Sequence, residues 1–195
     1  MRAIVSVYLL LPQIPMLFMG EEFGASTPFT FFCDFEPELA DLVRKGRREE
    51  FAKFPEFQDP EKREQIPDPT SRATFEASKL NWSEAEQGEH AGWSKLYREL
   101  LAIRHREIIP HLKEAGLDAG TFDVIGPGAV IVNWRLGNGV ALRLTANLSS
   151  QPLSLATSPF GRVLWSTGTS TADSFAGWSV RWEISDSASC QGSVA

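Results

Sequence analysis

Cysteine is scarce in this chain, with two in 195 residues. Cys33 and Cys190 lie far apart, with no Cys-x-x-Cys pair and no histidine at metal-ligand spacing. This argues against a disulfide framework and a structural metal, and it fits a reduced, cytoplasmic setting. Neither a metal nor an organic cofactor is indicated. Histidine is sparse too, and His90, His105 and His111 form no triad or ligand pattern. Positive charge is in deficit, at 19 Lys+Arg against 25 Asp+Glu, a net of -6. With no basic stripe to override that balance, nucleic acid is not an expected partner. Long apolar runs are missing as well. Residues 3–11 and 16–20 are apolar, but Pro12-Gln13-Ile14-Pro15 separates them and neither nears the ~20 residues that cross a bilayer. The first run has the charge and apolarity of a signal peptide without a small-residue cleavage site, so no membrane association is expected.

What the chain does have is core-forming material: 43% hydrophobic and 11% aromatic residues, enough for packed domains. The opening predicts a buried helix, a tight proline turn and then a strand at 16–20 buried on both faces, as in a parallel sheet. One helix and one such strand cannot satisfy the strand's two edges, so further elements of an α/β core are expected upstream. Past Gly20 the character changes to acids, small residues and aromatics over 21–35. Such a segment just beyond a buried strand is where α/β barrels place ligand-binding loops. Aromatic rings stack on the apolar faces of sugars while carboxylates accept hydroxyl hydrogen bonds. An alternative stays open, in which Phe29, Phe31 and Phe32 anchor a long loop.

Residues 38–54 predict a helix whose Arg44, Lys45, Arg47 and Arg48 form a basic face, and Pro55, Pro60, Pro67 and Pro69 then impose extended chain. Trp93, Leu96, Tyr97, Leu100, Arg104 and Ile108 recur at helical spacing up to Pro110. Beyond about residue 114 the period becomes two. Residues 129–134 and the alternating run 140–148 flank Gly137-Asn138-Gly139, a hairpin signal, and Trp178, Val180, Trp182 and Ile184 alternate likewise. Another strand is expected at 161–166, and a loose tail after Asp186. The pattern suggests a small antiparallel β-sandwich over 114–195.

Several motifs, in order, carry a resemblance. Pro15-Met16-Leu17-Phe18-Met19-Gly20-Glu21-Glu22-Phe23-Gly24 resembles the eighth barrel strand of the α-amylase superfamily of glycoside hydrolases. Thr27-Pro28-Phe29-Thr30-Phe31-Phe32-Cys33-Asp34-Phe35, Gly46-Arg47-Arg48-Glu49-Glu50-Phe51, Ile66-Pro67-Asp68-Pro69 and Thr74-Phe75-Glu76-Ala77-Ser78-Lys79-Leu80-Asn81-Trp82 narrow it to the malto-oligosyltrehalose trehalohydrolases. The resemblance covers most of 3–113. It implies the end of a TIM (β/α)8 barrel over 1–113, followed by the β-sandwich over 114–195. It further implies a retaining hydrolase that releases trehalose from malto-oligosyltrehalose, its malto-oligosaccharide substrate. The family's catalytic Asp, Glu and second Asp lie in earlier motifs, so the resemblance places no catalytic residue here. The chain by itself is expected to be inactive, and the missing barrel portion, as a separate chain, is a conceivable partner. Retaining chemistry needs carboxyls about 5–5.5 Å apart, and adjacent Glu21 and Glu22 on a strand would face opposite sides. Glu22, Phe31, Phe32 and Asp34 are the candidate substrate-binding residues, with Glu22 alternatively a salt bridge at the strand end. Two other readings stay open: part of a branching or debranching α-glucan enzyme, or a non-catalytic carbohydrate-binding module.

Overall fold

The computed structural model describes residues 1–59, 61–62, 65–113, 116, 119–155, 160–168 and 174–186. Pro60, Cys190 and the tail expected after Asp186 lie outside the described residues, apart from Asp186 itself. Two compact units result, one of Met1–Leu17 with Lys95–Ala195 and the other of Phe18–Ser94. The units therefore cut the chain differently from its sequence order, with the first helix grouped with the distant strands.

In the first unit, helix α1 (Arg2–Leu10) buries Ala3, Val5, Ser6, Leu9 and Leu10. The end of α1 is held by an arginine. The buried Arg104 guanidinium donates to the carbonyl oxygens of Leu9, Leu11, Pro12 and Gln13, the last at 2.8 Å. A cation at the negative end of a helix dipole, satisfying carbonyls with no intrahelical partner, is a stabilising arrangement. Arg104 opens a π-helical turn, Arg104–Ile108, that follows a longer helix, Gly88–Ile103. The predicted 93–108 helix thus starts earlier and changes winding at Arg104. Pro110 sits inside a short 3-10 turn, Ile109–His111, where its missing amide costs no hydrogen bond.

Seven strands follow: β1 (Gly120–Gly126), β2 (Ala129–Arg135), β3 (Ala141–Asn147), β4 (Leu153–Ser154), β5 (Arg162–Thr167), β6 (Ser174–Phe175) and β7 (Ser179–Ser185). Five form an antiparallel sheet in the order β1-β2-β3-β7-β5, and β4 pairs with β6. The β2–β3 hairpin turns as its Gly-Asn-Gly predicts, with Asn138 and Gly139 at positive φ. In register, Trp134 lies opposite Leu142, Leu142 opposite Ile184, and Leu144 opposite Trp182, so the alternating apolar residues share one face. Helix α1 covers that face: the Trp182 indole donates to the Ser6 carbonyl at 3.0 Å, and its ring stacks on Trp134 with centroids 5.6 Å apart. Strand β7 is buried on its other face also, at Ser179, Glu183 and Ser185. The antiparallel all-β architecture expected for the carboxyl-terminal part is present. Trp178 instead occupies the turn before β7, at a φ of 56° and about half exposed.

The buried strand predicted at 16–20 does not form. Met16, Leu17, Phe18 and Met19 are exposed and join no ladder. A strand buried on both faces needs neighbours on both edges, and the described residues supply none for this segment. Glu21–Phe23 is instead a single 3-10 turn.

The second unit holds α2 (Pro37–Phe51), close to the predicted 38–54 helix, and α3 (Arg72–Ala77), started by Ser71 accepting the Ala73 amide hydrogen bond at 3.2 Å. Four phenylalanines, Phe18, Phe29, Phe32 and Phe75, run edge to face through it, with successive centroids 5.0, 5.7 and 4.9 Å apart. Edge-to-face contact sets each ring's positive rim against a neighbour's negative face.

Candidate functional site

In the second unit, a hollow of about 490 Å³ is lined by Phe32, Cys33, Asp34, Thr70, Ser71, Arg72 and Phe75. Its two walls come from motifs far apart in sequence. The Cys33 amide donates to the Pro69 carbonyl at 2.8 Å, joining the aromatic loop to the segment after Ile66-Pro67-Asp68-Pro69. Asp68 organises that segment. Its carboxylate accepts from the Thr70 amide at 2.9 Å, the Thr70 hydroxyl at 2.8 Å and Arg44 Nε at 2.8 Å. Arg44 also donates to the Thr70 hydroxyl oxygen at 2.8 Å, and the Thr74 hydroxyl donates to the Asp68 carbonyl at 2.6 Å. Burial pushes the Asp68 carboxyl upward, but the hydrogen bonds from Thr70 and Arg44 outweigh it and hold the carboxyl below its ordinary value. The result is a wall fixed by an ion pair between α2 and the proline-rich stretch.

Two of the four sequence candidates meet here. Phe32 is half-buried between Phe29 and Phe75, and Asp34 is exposed on the lining. Phe32 also anchors the loop through those ring contacts, so both readings of it describe one position. Phe31 is not on this lining. Its backbone adopts a φ of 56° and the Arg47 guanidinium lies 5.0 Å from its ring centroid. Glu22 is half-buried in the Glu21–Phe23 turn, away from this lining, and it is Glu21 that accepts the Phe18 amide at 3.0 Å. The turn starts at Gly20, whose φ is 86° and where a Cβ would come within 2.8 Å of Ala25 and Leu80. Thr70, Ser71, Arg72 and Phe75 were not singled out as site residues, nor was Arg44 as their support. The signal was an aspartate between prolines with Thr-Ser-Arg following, a composition that favours side-chain-stapled turns.

A second clamp holds the aromatic loop from its other end. Glu84 accepts from the Ser26 hydroxyl at 2.7 Å and the Ser26 amide at 3.1 Å, which lowers its carboxyl pKa. His90 Nδ1 lies 2.9 Å from the Phe23 carbonyl oxygen. Among the described residues, no group of three or more His, Cys, Asp or Glu is placed to hold a metal. No helix there is long and apolar enough to cross a membrane.

Chemically, the hollow offers an aromatic edge, a carboxylate, a guanidinium and two hydroxyls. That set suits a polyhydroxylated ligand with one apolar face, and it contains no facing pair of carboxylates.

Comparison with known proteins gives this geometry a context. A family model described as "Domain of unknown function (DUF3459)" matches residues 117–182, which include β1, β2, β3, β5 and the first part of β7. A malto-oligosyltrehalose trehalohydrolase of Deinococcus radiodurans is 42% identical over 137 residues, covering 66% of this chain and 22% of that protein. One from Mycobacterium tuberculosis (strain H37Rv) is 53% identical over 97 residues, covering 49% and 16%. A crystal structure titled as a putative α-amylase from Salmonella typhimurium matches with a TM-score of 0.79 at 36% identity, covering 95% of this chain and 30% of that one. A trehalulose synthase MutB mutant matches at a TM-score of 0.51 and 19% identity, a likeness of fold alone. The chain spans about a fifth of the length of the curated relatives it matches. Over that part of their length, the chain resembles the malto-oligosyltrehalose trehalohydrolases, and its fold is α-amylase-like.

Proposed function

We propose that this chain is the carboxyl-terminal portion of a malto-oligosyltrehalose trehalohydrolase. In the whole enzyme, cleavage of the α-1,4-glucosidic bond next to the terminal trehalose unit would release trehalose. The observation that carries this reading is 53% identity over 97 residues to a protein bearing that name. The α-amylase-like fold supports it, as do the exposed side chains of Met16, Leu17, Phe18 and Met19, an apolar segment suited to burial among barrel strands. On this reading residues 1–113 complete a barrel, residues 114–195 form the sandwich that follows it, and the catalytic carboxylates come from residues outside this chain. The chain's own contribution is then a wall of an outer sugar site. Phe32 and Asp34 line the hollow with Arg72, while Glu22 and Phe31 serve nearby parts of the same loop. A malto-oligosaccharide is the substrate, handled in solution in the cytoplasm.

The test is a chimera in which this chain replaces the matching part of the Deinococcus relative. Trehalose release from malto-oligosyltrehalose by the folded chimera, with none from the 195-residue chain alone, is the expected result. A folded chimera that releases no trehalose, or release by the chain alone, would overturn the reading.

A further inference from the structure

The face of the five-stranded sheet opposite α1 carries a second hollow, of about 440 Å³, whose lining includes Thr121, Asn133, Arg135, Ala141, Arg143 and Phe160. Thr121 is opposite Asn133, Asn133 opposite Arg143, and Arg143 opposite Glu183, so they form one rank across four strands. In the next rank Arg135 is opposite Ala141. Arg135 and Arg143 are therefore diagonal neighbours on one face, about 7–8 Å apart at the backbone, flanking an alanine floor. Two long cations beside a small residue make a recess that is walled by guanidinium groups.

The hydrogen-bonding inventory of that recess is rich in donors. Arg143 Nε donates to Asn133 Oδ1 at 2.7 Å, which occupies the acceptor end of the amide and leaves its NH2 as a donor. Guanidinium groups only donate, and the Thr121 hydroxyl can donate. The Arg143 guanidinium is also held 3.9 Å above the centroid of Phe160, which fixes its plane. The acids on this face lie to one side: Asp123 is one rank beyond Arg143, away from Arg135, and Glu183 is buried beside Arg143. Desolvation pushes the Glu183 carboxyl upward, opposed by the nearby Arg181 and Arg143 charges. A donor-rich recess with two arginines, one of them held over Phe160, matches an acceptor-rich anion, and planar guanidinium forks fit phosphoryl oxygens in bidentate fashion.

We propose that this recess binds a phosphoryl group, either free phosphate or the ester of a small sugar, making the sheet domain a ligand-binding module in its own right. The site is independent of the hollow around Asp34. The experiment is a calorimetric titration of the full 195-residue chain at low ionic strength with inorganic phosphate, glucose 1-phosphate and maltotriose. Saturable binding of phosphate and glucose 1-phosphate, with none of maltotriose, is expected. Tighter glucose 1-phosphate assigns the sugar ester, and equal affinities assign the free anion. Arg135→Gln, at the exposed end of β2, should weaken binding at least tenfold without changing the melting temperature. Arg143→Gln should do the same or more, and added salt should weaken binding in the unmodified chain. No saturable phosphate binding, binding unchanged in both variants, or maltotriose bound as tightly as phosphate would each overturn the proposal.

Discussion

The two units of this chain are held together by different physics. In the sheet unit, Leu9, Leu10, Leu100, Ile108, Leu142, Val180 and Trp182 are at or near zero exposure. Among the described residues of Phe18–Ser94 the buried apolar side chains are Phe23 and Ala40, and further order comes from Asp68, Glu84, Ser78 and edge-to-face phenylalanines. Apolar burial is insensitive to pH and adds up with area, whereas charge-assisted hydrogen bonds are local, directional and titratable. One unit should therefore fail through cavities and the other through protonation.

The largest expected effect is on the sheet. Trp182→Ala removes a ring stacked on Trp134 and a hydrogen bond to α1, and should cost about 3–5 kcal/mol in denaturant unfolding. If amide exchange in Phe18–Ser94 accelerated equally, the contrast between the units would be broken. Next comes acidification. Asp68 and Glu84 have folded-state values lowered below their unfolded ones, so their contribution is present at neutral pH and lost as pH falls through the lowered values. Glu183 is raised, so its contribution is present in acid and lost as pH rises through the raised value. Glu107, held low by Arg106 and Arg162, tempers the sheet's gain. Amide exchange followed from pH 7 down to about 3 should show the loops near Ser26 and Thr70 opening before β7 does. The Glu183→Gln variant should lose the acid-favoured part of the sheet's pH dependence, keep the opposite Glu107 part, and leave those loops unchanged. Smallest is Asp68→Asn, which weakens the half-exposed clamp to Arg44 only slightly, because solvent screens the pair. It should speed exchange at the Cys33 and Thr70 amides while leaving the Trp182 environment, followed by near-ultraviolet circular dichroism, as it was.

The same contrast decided what could be read in advance. The sheet was legible because alternation at 140–148 and 178–184 is a direct imprint of burial on a pleat, and Gly-Asn-Gly marks its own turn. Strand β1 was harder: it is an edge, exposed along most of its length, and Gly120–Gly126 shows little alternation of burial. The two-residue strands β4 and β6 are too short to leave a period. Residues 16–20 misled, because a continuous apolar run encodes burial without saying by what, and the residues that would flank it on both sides are not among those described. At the candidate site, Phe32 and Asp34 stood out by type, while Arg72 and Thr70 depend on a fold-back across more than thirty residues that no local pattern reveals.

The Trp182–Ser6 hydrogen bond joins residues 176 positions apart. Closing so wide a loop carries an entropic penalty that grows with the logarithm of its length, and such non-local contacts slow folding. During synthesis, the part of α1 that meets β7 cannot be covered until β7 is made. A ribosome stalled before residue 179 would hold α1 without the contact that Trp182 makes to it.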